Sequence, residues 1–416
     1  MRTLKLITMF LLLHLFLELT YSQTTTWVQQ VSGTNQAFWS VYFLNGRTGY
    51  AVGVNGTIRK TTNGGANWNA VTSGTTNDFY EVFFLNVSTG YVSGTNGTIR
   101  KTTNGGTNWT ALTPGTNNTL YEIFFTDPNT GYVAGANGTI RKTTNSGTNW
   151  VAQTSGTTQN LYEVHFIGGR GFTVGNTGTI RSTTNGGTNW IAQTSGTNNA
   201  LLDVRFSSFS VLSDLYAIGM NGTILKTTNS GTNWFALVSG TSNDLYEIHF
   251  TYATIGYTVG QNGTIRGTTN SGTNWTAQVS GTNNDLHSVY FPVPDTGYAV
   301  GASGTILKTS TGFVGIGSVE NSVPNKFCLY QNYPNPFNPS TRIKFDVSSN
   351  MKSPTSNVKL TVYDILGKDI GVLVDKQLTP GTYEVEWNAG NYPSGVYFYK
   401  LESANFVEMY KMVLIK

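Results

Sequence analysis

Cysteine is almost absent. Cys328 is the only one in 416 residues, so no intrachain disulfide can form and packing alone must hold the fold. Charge is scarce too: Asp, Glu, Lys and Arg make up 11% of the chain, where an ordinary soluble domain has about 25%. The net charge of +4 comes without a long basic run, which argues against nucleic acid as a partner. There are four histidines, His14, His165, His249 and His287, and no two fall with a carboxylate at metal-ligand spacing. No metal or cofactor is therefore expected. Helical periodicity is missing, and with it any Gly-rich phosphate loop leading into a helix. Long apolar runs are missing as well, except Ile7–Leu17, which follows Arg2 and Lys5 and precedes Thr20–Tyr21–Ser22. That run is shorter than the ~20 residues a membrane span needs, so residues 1–22 read as a secretory signal peptide. The mature chain is expected to carry no transmembrane segment.

What fills the chain is Thr, Asn, Ser and 48 Gly, with 22 Tyr and 22 Phe as apolar bulk. One sentence is written over and over. Trp27, Trp68, Trp109, Trp150, Trp190, Trp234 and Trp275 recur every 40–44 residues, and Gly-Thr-Ile begins at Gly56, Gly97, Gly138, Gly178, Gly222, Gly263 and Gly304. The unit from Leu120 to Thr157 resolves into four short β-rich runs: Tyr121–Phe125, Gly131–Gly135, Thr139–Thr143 and Trp150–Thr154. Asn137-Gly138 between the second and third runs suits a type I′ turn, because both residues tolerate positive φ. The recurring Asn-Gly-Thr triplets thus read as turn chemistry, not as glycosylation acceptors.

Four strands in about 40–45 residues is the period of a β-propeller blade, whereas stacked solenoid coils are usually shorter. The stretch around residues 26–31 has only a fourth-strand sequence, and the last unit, ending near residue 310, has only the first three strands. One fragment completes the other, which closes a ring of seven four-stranded blades over residues 23–310 and removes the exposed edges of an open array. "TTNGGANW" (Thr61–Trp68) and its five sister segments resemble Asp-box, or BNR, repeats, Ser/Thr-x-Asp-x-Gly-x-x-Trp. The whole unit is similar to the seven-bladed propellers of the photosystem II assembly/stability factor family. Asn63, Asn104, Asn145, Asn185, Asn229 and Asn270 stand where the box has Asp. Asn can still accept a hydrogen bond from the turn backbone, so the turn should survive and a role needing negative charge should not.

Residues 311–325 lose the strand pattern and read as a linker. Residues 326–416 regain it, with alternating runs such as Lys359–Tyr363 and Val396–Leu401 that predict a small Ig-like antiparallel β-sandwich. The motifs "QNYPNPFNPSTRI" (Gln331–Ile343), "VYDILGK" (Val362–Lys368), "SGVYFYKL" (Ser394–Leu401) and "KMVLIK" (Lys411–Lys416) resemble the type A C-terminal sorting domain of the Por (type IX) secretion system. That resemblance implies export, contact with the type IX machinery, and a mature protein released or displayed at the outer membrane exterior. The fold class expected is therefore all-β, a seven-bladed propeller followed by a sandwich.

Chemistry is harder to find. The arginines are periodic (Arg59, Arg100, Arg141, Arg181 and Arg266, with Leu225 and Leu307 in the other two blades). So are the acids (Glu81, Glu122, Glu163, Asp203 and Glu247, with Ser40 and Ser288 in the other two). A sialidase-like site would need an arginine cluster, a Tyr nucleophile with a Glu partner and an Asp acid, all converging on one substrate. Identical groups spread round a ring do not do that, so no catalytic residue is expected. The two rings either pair with each other or offer a multivalent rim to a glycan or protein. Strand alternation places Glu81 and Phe83 on one face and Tyr80, Val82 and Phe84 on the other. His165 and His249 share a first-strand position with Tyr42, Phe83, Phe124 and Tyr290. Three functions stay in view: a secreted or cell-surface propeller for adhesion or binding, a secreted sialidase-like glycosidase, and an assembly-factor-like scaffold.

Overall fold

The computed structural model describes residues 27–207, 213–293, 296–310, 317–318, 326–349, 355–390, 392–403 and 406–415. The signal peptide expected over residues 1–22 and most of the linker expected over 311–325 lie outside them.

Seven four-stranded antiparallel sheets stand in chain order round a central channel. Blades 1 to 6 run Phe38–Val71, Phe79–Leu112, Leu120–Gln153, Leu161–Gln193, Leu201–Leu237 and Leu245–Ala277. Blade 7 takes its first three strands from Leu286–Thr309 and its outer strand from Val28–Gln29, which pairs with Leu307 and Lys308. The outer edge of the last blade is thereby hydrogen-bonded by the start of the described chain. Each second strand turns into the third through two residues of positive φ, Asn137 (56°) and Gly138 (69°) in blade 3. That pair of angles is the one a type I′ turn needs.

Contacts to backbone carbonyls lock the ring. In five blades a second-strand Tyr and a third-strand Lys both donate to one carbonyl in the box turn of the next blade. Tyr91 Oη and Lys101 Nζ of blade 2 both reach Ser146 O of blade 3 at 3.0 Å, with the ammonium 5.3 Å from the Tyr91 ring centroid. Tyr298 and Lys308 of blade 7 close the circle on Gly64 of blade 1. Blade 4 has Phe172 and Ser182 at those places, and Arg170 reaches across to Ser230 Oγ instead.

Inside each box turn Asn does the work of the expected Asp. Asn104 Oδ1 accepts the Asn108 N–H at 3.0 Å, and Thr102 Oγ1 accepts the N–H of Gly106 at 2.9 Å. The box Trp that follows packs edge-on against a first-strand Phe of its own blade, as Trp109 does on Phe84 and Trp150 on Phe125. Buried aromatic and aliphatic side chains between neighbouring blades supply the core, so each blade gains its stability from the blade beside it.

The C-terminal unit is a sandwich of two four-stranded sheets. Its separate core includes Phe345, Leu360, Trp387, Tyr399 and Met412. The motif residue Asn332 is buried there, its N–H on Tyr399 Oη at 2.7 Å and its Nδ2 on Thr341 Oγ1 at 2.8 Å.

Candidate functional site

The innermost strand of every blade faces the channel, and it does so with a defect. Register shifts between Phe79 and Glu81, and between their equivalents in all seven blades. A β-bulge of this kind lets two consecutive side chains turn toward the same side. Simple alternation, which put Tyr80 opposite Glu81, is therefore corrected: both line the channel. Three layers result.

At the mouth on the side of the inter-blade crossovers, Trp39, Tyr80, Tyr121 and Tyr162 follow one another at centroid distances of 5.4, 5.2 and 5.0 Å. His287 stacks on Trp39 at 4.1 Å and touches Tyr246 at 5.5 Å. Only Leu202 interrupts this aromatic crown.

Below it lies the layer of Ser40, Glu81, Glu122, Glu163, Asp203, Glu247 and Ser288. Its side chains join blade to blade through the main chain. Asp203 Oδ2 accepts the Ile248 N–H at 2.8 Å, Glu247 Oε2 that of Val289 at 3.0 Å, and Ser288 Oγ that of Val41 at 3.1 Å. The third layer is Tyr42, Phe83, Phe124, His165, Arg205, His249 and Tyr290.

Arg205 is the residue that sequence reasoning missed. It contacts three carboxylates, Asp203 at 3.1 Å and Glu163 and Glu247 at 3.4 Å each. Its Nη1 donates to His165 Nδ1 at 3.1 Å, which leaves the His165 proton on Nε2. Burial and the adjacent guanidinium hold His165 well below the usual imidazole range, and burial holds His249 down to about 3. Among the acids the desolvation works upward. Glu81 is pushed to about 8 and Glu247 to about 7, in both cases first by burial. Glu122 and Glu163 are raised well above the carboxylate range by burial. Asp203 is raised as well, though Arg205 opposes its burial.

The predicted arginines sit elsewhere. Arg59 donates to Gly33 O and Arg100 to Gly74 O, each at 2.6 Å, while Arg141, Arg181 and Arg266 repeat the contact on Gly115, Gly156 and Gly240. Those carbonyls lie in the crossover leading into each blade, so the arginines tie third strands to crossovers. The structure brings Glu81, Glu122, Glu163, Asp203 and Glu247 together in the channel and does not bring the arginines to them.

A cavity of about 830 Å³ runs through the third layer to Glu81 and Glu247. Tyr42, Phe83, Phe124, His165, Arg205, His249 and Tyr290 all line it, together with Thr251–Thr254 and Arg342, Glu384 and Glu386 of the C-terminal unit. Among the described residues no group of three or more His, Cys, Asp or Glu is placed to hold a metal.

With this geometry in hand, the chain was compared with known proteins. The profile of the photosynthesis system II assembly factor YCF48 family matches residues 19–158, 108–242 and 151–288. The chain belongs to the YCF48 family. A solved structure titled "YCF48 bound to D1 peptide" is 21% identical, covers 69% of this chain and 97% of its own, and superposes with a TM-score of 0.58. YCF48 from Cyanidioschyzon merolae gives 18% identity, 68% and 98% coverage and a TM-score of 0.59. The WD40 β-propeller domain of Doa1 is similar at 13% identity, with 68% and 96% coverage and a TM-score of 0.57. At these identities the structural likeness speaks for the propeller fold alone. The YCF48 match ends at residue 288, within blade 7, and residues 331–416 match the secretion system C-terminal sorting domain. That tail implies type IX export, to the medium or the cell surface. No curated protein matches the chain. No helix of the described residues is long and apolar enough to cross a membrane.

Proposed function

We propose that this protein is a secreted or surface-displayed, non-catalytic binding propeller whose ligand, a protein segment or a glycan, is received at the channel. The observation that carries this reading is where the sevenfold pattern breaks. Most periodic polar groups outside the channel close on a backbone carbonyl or a turn N–H and are spent on the scaffold. In the third channel layer four different chemistries, phenol, phenyl, imidazole and guanidinium, converge on one cavity. A pocket with a few placed polar groups among aromatic walls is the usual form of a binding site.

The glycosidase reading is weaker because the channel tyrosines are set the wrong way. A Tyr nucleophile needs a phenol that ionises readily. Burial pushes the Tyr42 and Tyr290 phenols up, with nearby glutamates adding to the effect. A YCF48 structure to which the chain is similar is titled as bound to D1 peptide, which favours protein over glycan as the class to try first. The test is binding of residues 23–310 to peptide and glycan arrays beside a fluorogenic glycosidase panel. Saturable capture without turnover is expected, and turnover abolished by Tyr42→Phe or Tyr290→Phe would overturn the reading.

A further inference from the structure

We propose that the channel cavity receives an organic cation from the ligand, a lysine or arginine side chain, seated between Tyr42, Phe83, Phe124 and Tyr290 and facing Glu81. This rests on the binding reading above and names the chemistry of the bound group.

The argument begins with an imbalance. The acid layer has five carboxyl groups and the innermost strands one guanidinium, Arg205, while the C-terminal unit adds Arg342, Glu384 and Glu386 to the cavity wall. Arg205 stands on one side of the ring, against Glu163, Asp203 and Glu247 of blades 4, 5 and 6. Glu81 and Glu122, in blades 2 and 3, have no ion pair with a basic side chain among the described residues. Glu122 and Glu163 meet each other through their carboxyl groups and do not line the cavity, so Glu81 is the acid that faces it without a basic partner on the innermost strands.

The walls say which donor. Tyr290, Tyr42, Phe83 and Phe124 form an unbroken arc across four blades, with successive centroids 5.0, 5.8 and 5.5 Å apart. This arc covers the half of the ring that Arg205 does not. Aromatic faces over a carboxylate attract an organic cation and give a hard metal ion no lone pairs. The cavity's 830 Å³ is the size of ordinary ligand sites and holds a long side chain with part of its backbone. The layer moreover already accommodates one guanidinium, the chain's own, so a second cation on the aromatic side repeats a contact the fold makes.

The chain is tested with its C-terminal unit, because Arg342, Glu384 and Glu386 line the same cavity. Residues 23–416 are titrated at pH 8.5, where Glu81 is ionised, by calorimetry and saturation-transfer NMR with acetyl-Gly-Lys-Gly-amide, its Arg counterpart, its side-chain-acetylated Lys form and a Gln form. The Lys and Arg peptides should bind, and both neutral forms should bind at least tenfold more weakly. Glu81→Gln and Phe83→Leu should each weaken the Lys peptide at least tenfold while their circular dichroism melts stay cooperative. Tetramethylammonium should displace the Lys peptide from the unaltered propeller at constant ionic strength, where calcium does not. Equal binding of the neutral peptides, no binding of the cationic ones, or displacement by calcium alone would overturn the proposal. Capture of a neutral glycan or peptide on the arrays, unchanged by Glu81→Gln, would overturn it and leave the binding reading standing. Silence on the arrays as well would remove both.

Discussion

Alkali should loosen this propeller above pH 6.5, and Glu81 allows the size to be worked out. In the unfolded chain a glutamate titrates near 4.5, but in the channel Glu81 is pushed up to about 8. Between pH 6.5 and 8 the folded state therefore keeps a proton that the unfolded state has lost. A folded pKa above the unfolded one gives stability that is lost as pH rises toward the folded value. The slope for one proton is about 1.4 kcal/mol per pH unit, so roughly 2 kcal/mol disappears across that window. For a domain this large that is a fall in Tm of about 4 °C.

The other channel groups of opposite sign are the histidines. His165, His249 and His287 all have lowered values, so they are neutral in the folded state throughout the window, while the share of a proton each still binds near pH 6.5 in the unfolded chain is common to both proteins compared below. Glu122, Glu163, Asp203 and Glu247 act in the same direction as Glu81, and the comparison must subtract them. Glu81→Gln does so: the amide keeps an acceptor for the Ser40 hydroxyl and cannot release a proton. Calorimetric or circular dichroism melts of residues 23–310 at pH 6.5, 7.25 and 8 should show the variant's decline shallower by about one proton. Parallel pH profiles for the two proteins would refute the assignment of a raised Glu81 and the layer geometry behind it.

Three further outcomes follow from the scaffold and its tail. Asn104→Ala removes the acceptor of the Asn108 N–H and should cost about 1 kcal/mol in urea unfolding, whereas Asn104→Asp should stay within about 0.5 kcal/mol. Arg100→Leu should be milder than Arg100→Ala, because Leu225 and Leu307 fill the same place natively and Arg100 Nε is buried without a partner; equal losses in thermal melts would count against the scaffold role of that ring. Removing residues 326–416 should leave the propeller on the inner side of the outer membrane in a type IX host, and an undiminished amount in the medium by immunoblot would count against the tail's role.

Fold was legible here because repetition multiplies weak signals. One Asn-Gly pair is a modest hint of a turn, but recurring at the same phase beside a Trp it admits few architectures. The closing strand was legible for the same reason, since a missing fourth strand at one end matched a spare one at the other. The channel was less legible, for two physical reasons. A β-bulge breaks the period of two, so the crown of Trp39, Tyr80, Tyr121 and Tyr162 hid behind an alternation that the innermost strands do not obey. Arg205 stood in plain sight, in the column Tyr42, Phe83, Phe124, His165, Arg205, His249, Tyr290, as its only permanently charged member. Reading that column across the blades, and not each histidine by itself, was the signal that could have found it. The arginine ring shows the converse. Its regularity made it conspicuous, but a guanidinium on a third strand reaches the crossover carbonyl of its own blade and is used there.

Regularity and the breaks in it thus occupy different columns of the same repeat, and the contacts explain why. A box turn, a Tyr–Lys clamp or an Arg staple must fit an identical neighbour, so a change in one blade strains the interface with the next. Where the clamp is lost, as at Phe172 and Ser182 of blade 4, Arg170 compensates across the same seam. A third-layer side chain has no such obligation. It projects into a space that all seven blades share, and it touches its counterparts in the neighbouring blades. Substitution there alters the cavity and leaves the clamps, staples and box turns in place, as at His165, Arg205 and His249. In a propeller built this way the third channel layer is where the chemistry of the cavity can change while the ring stays closed.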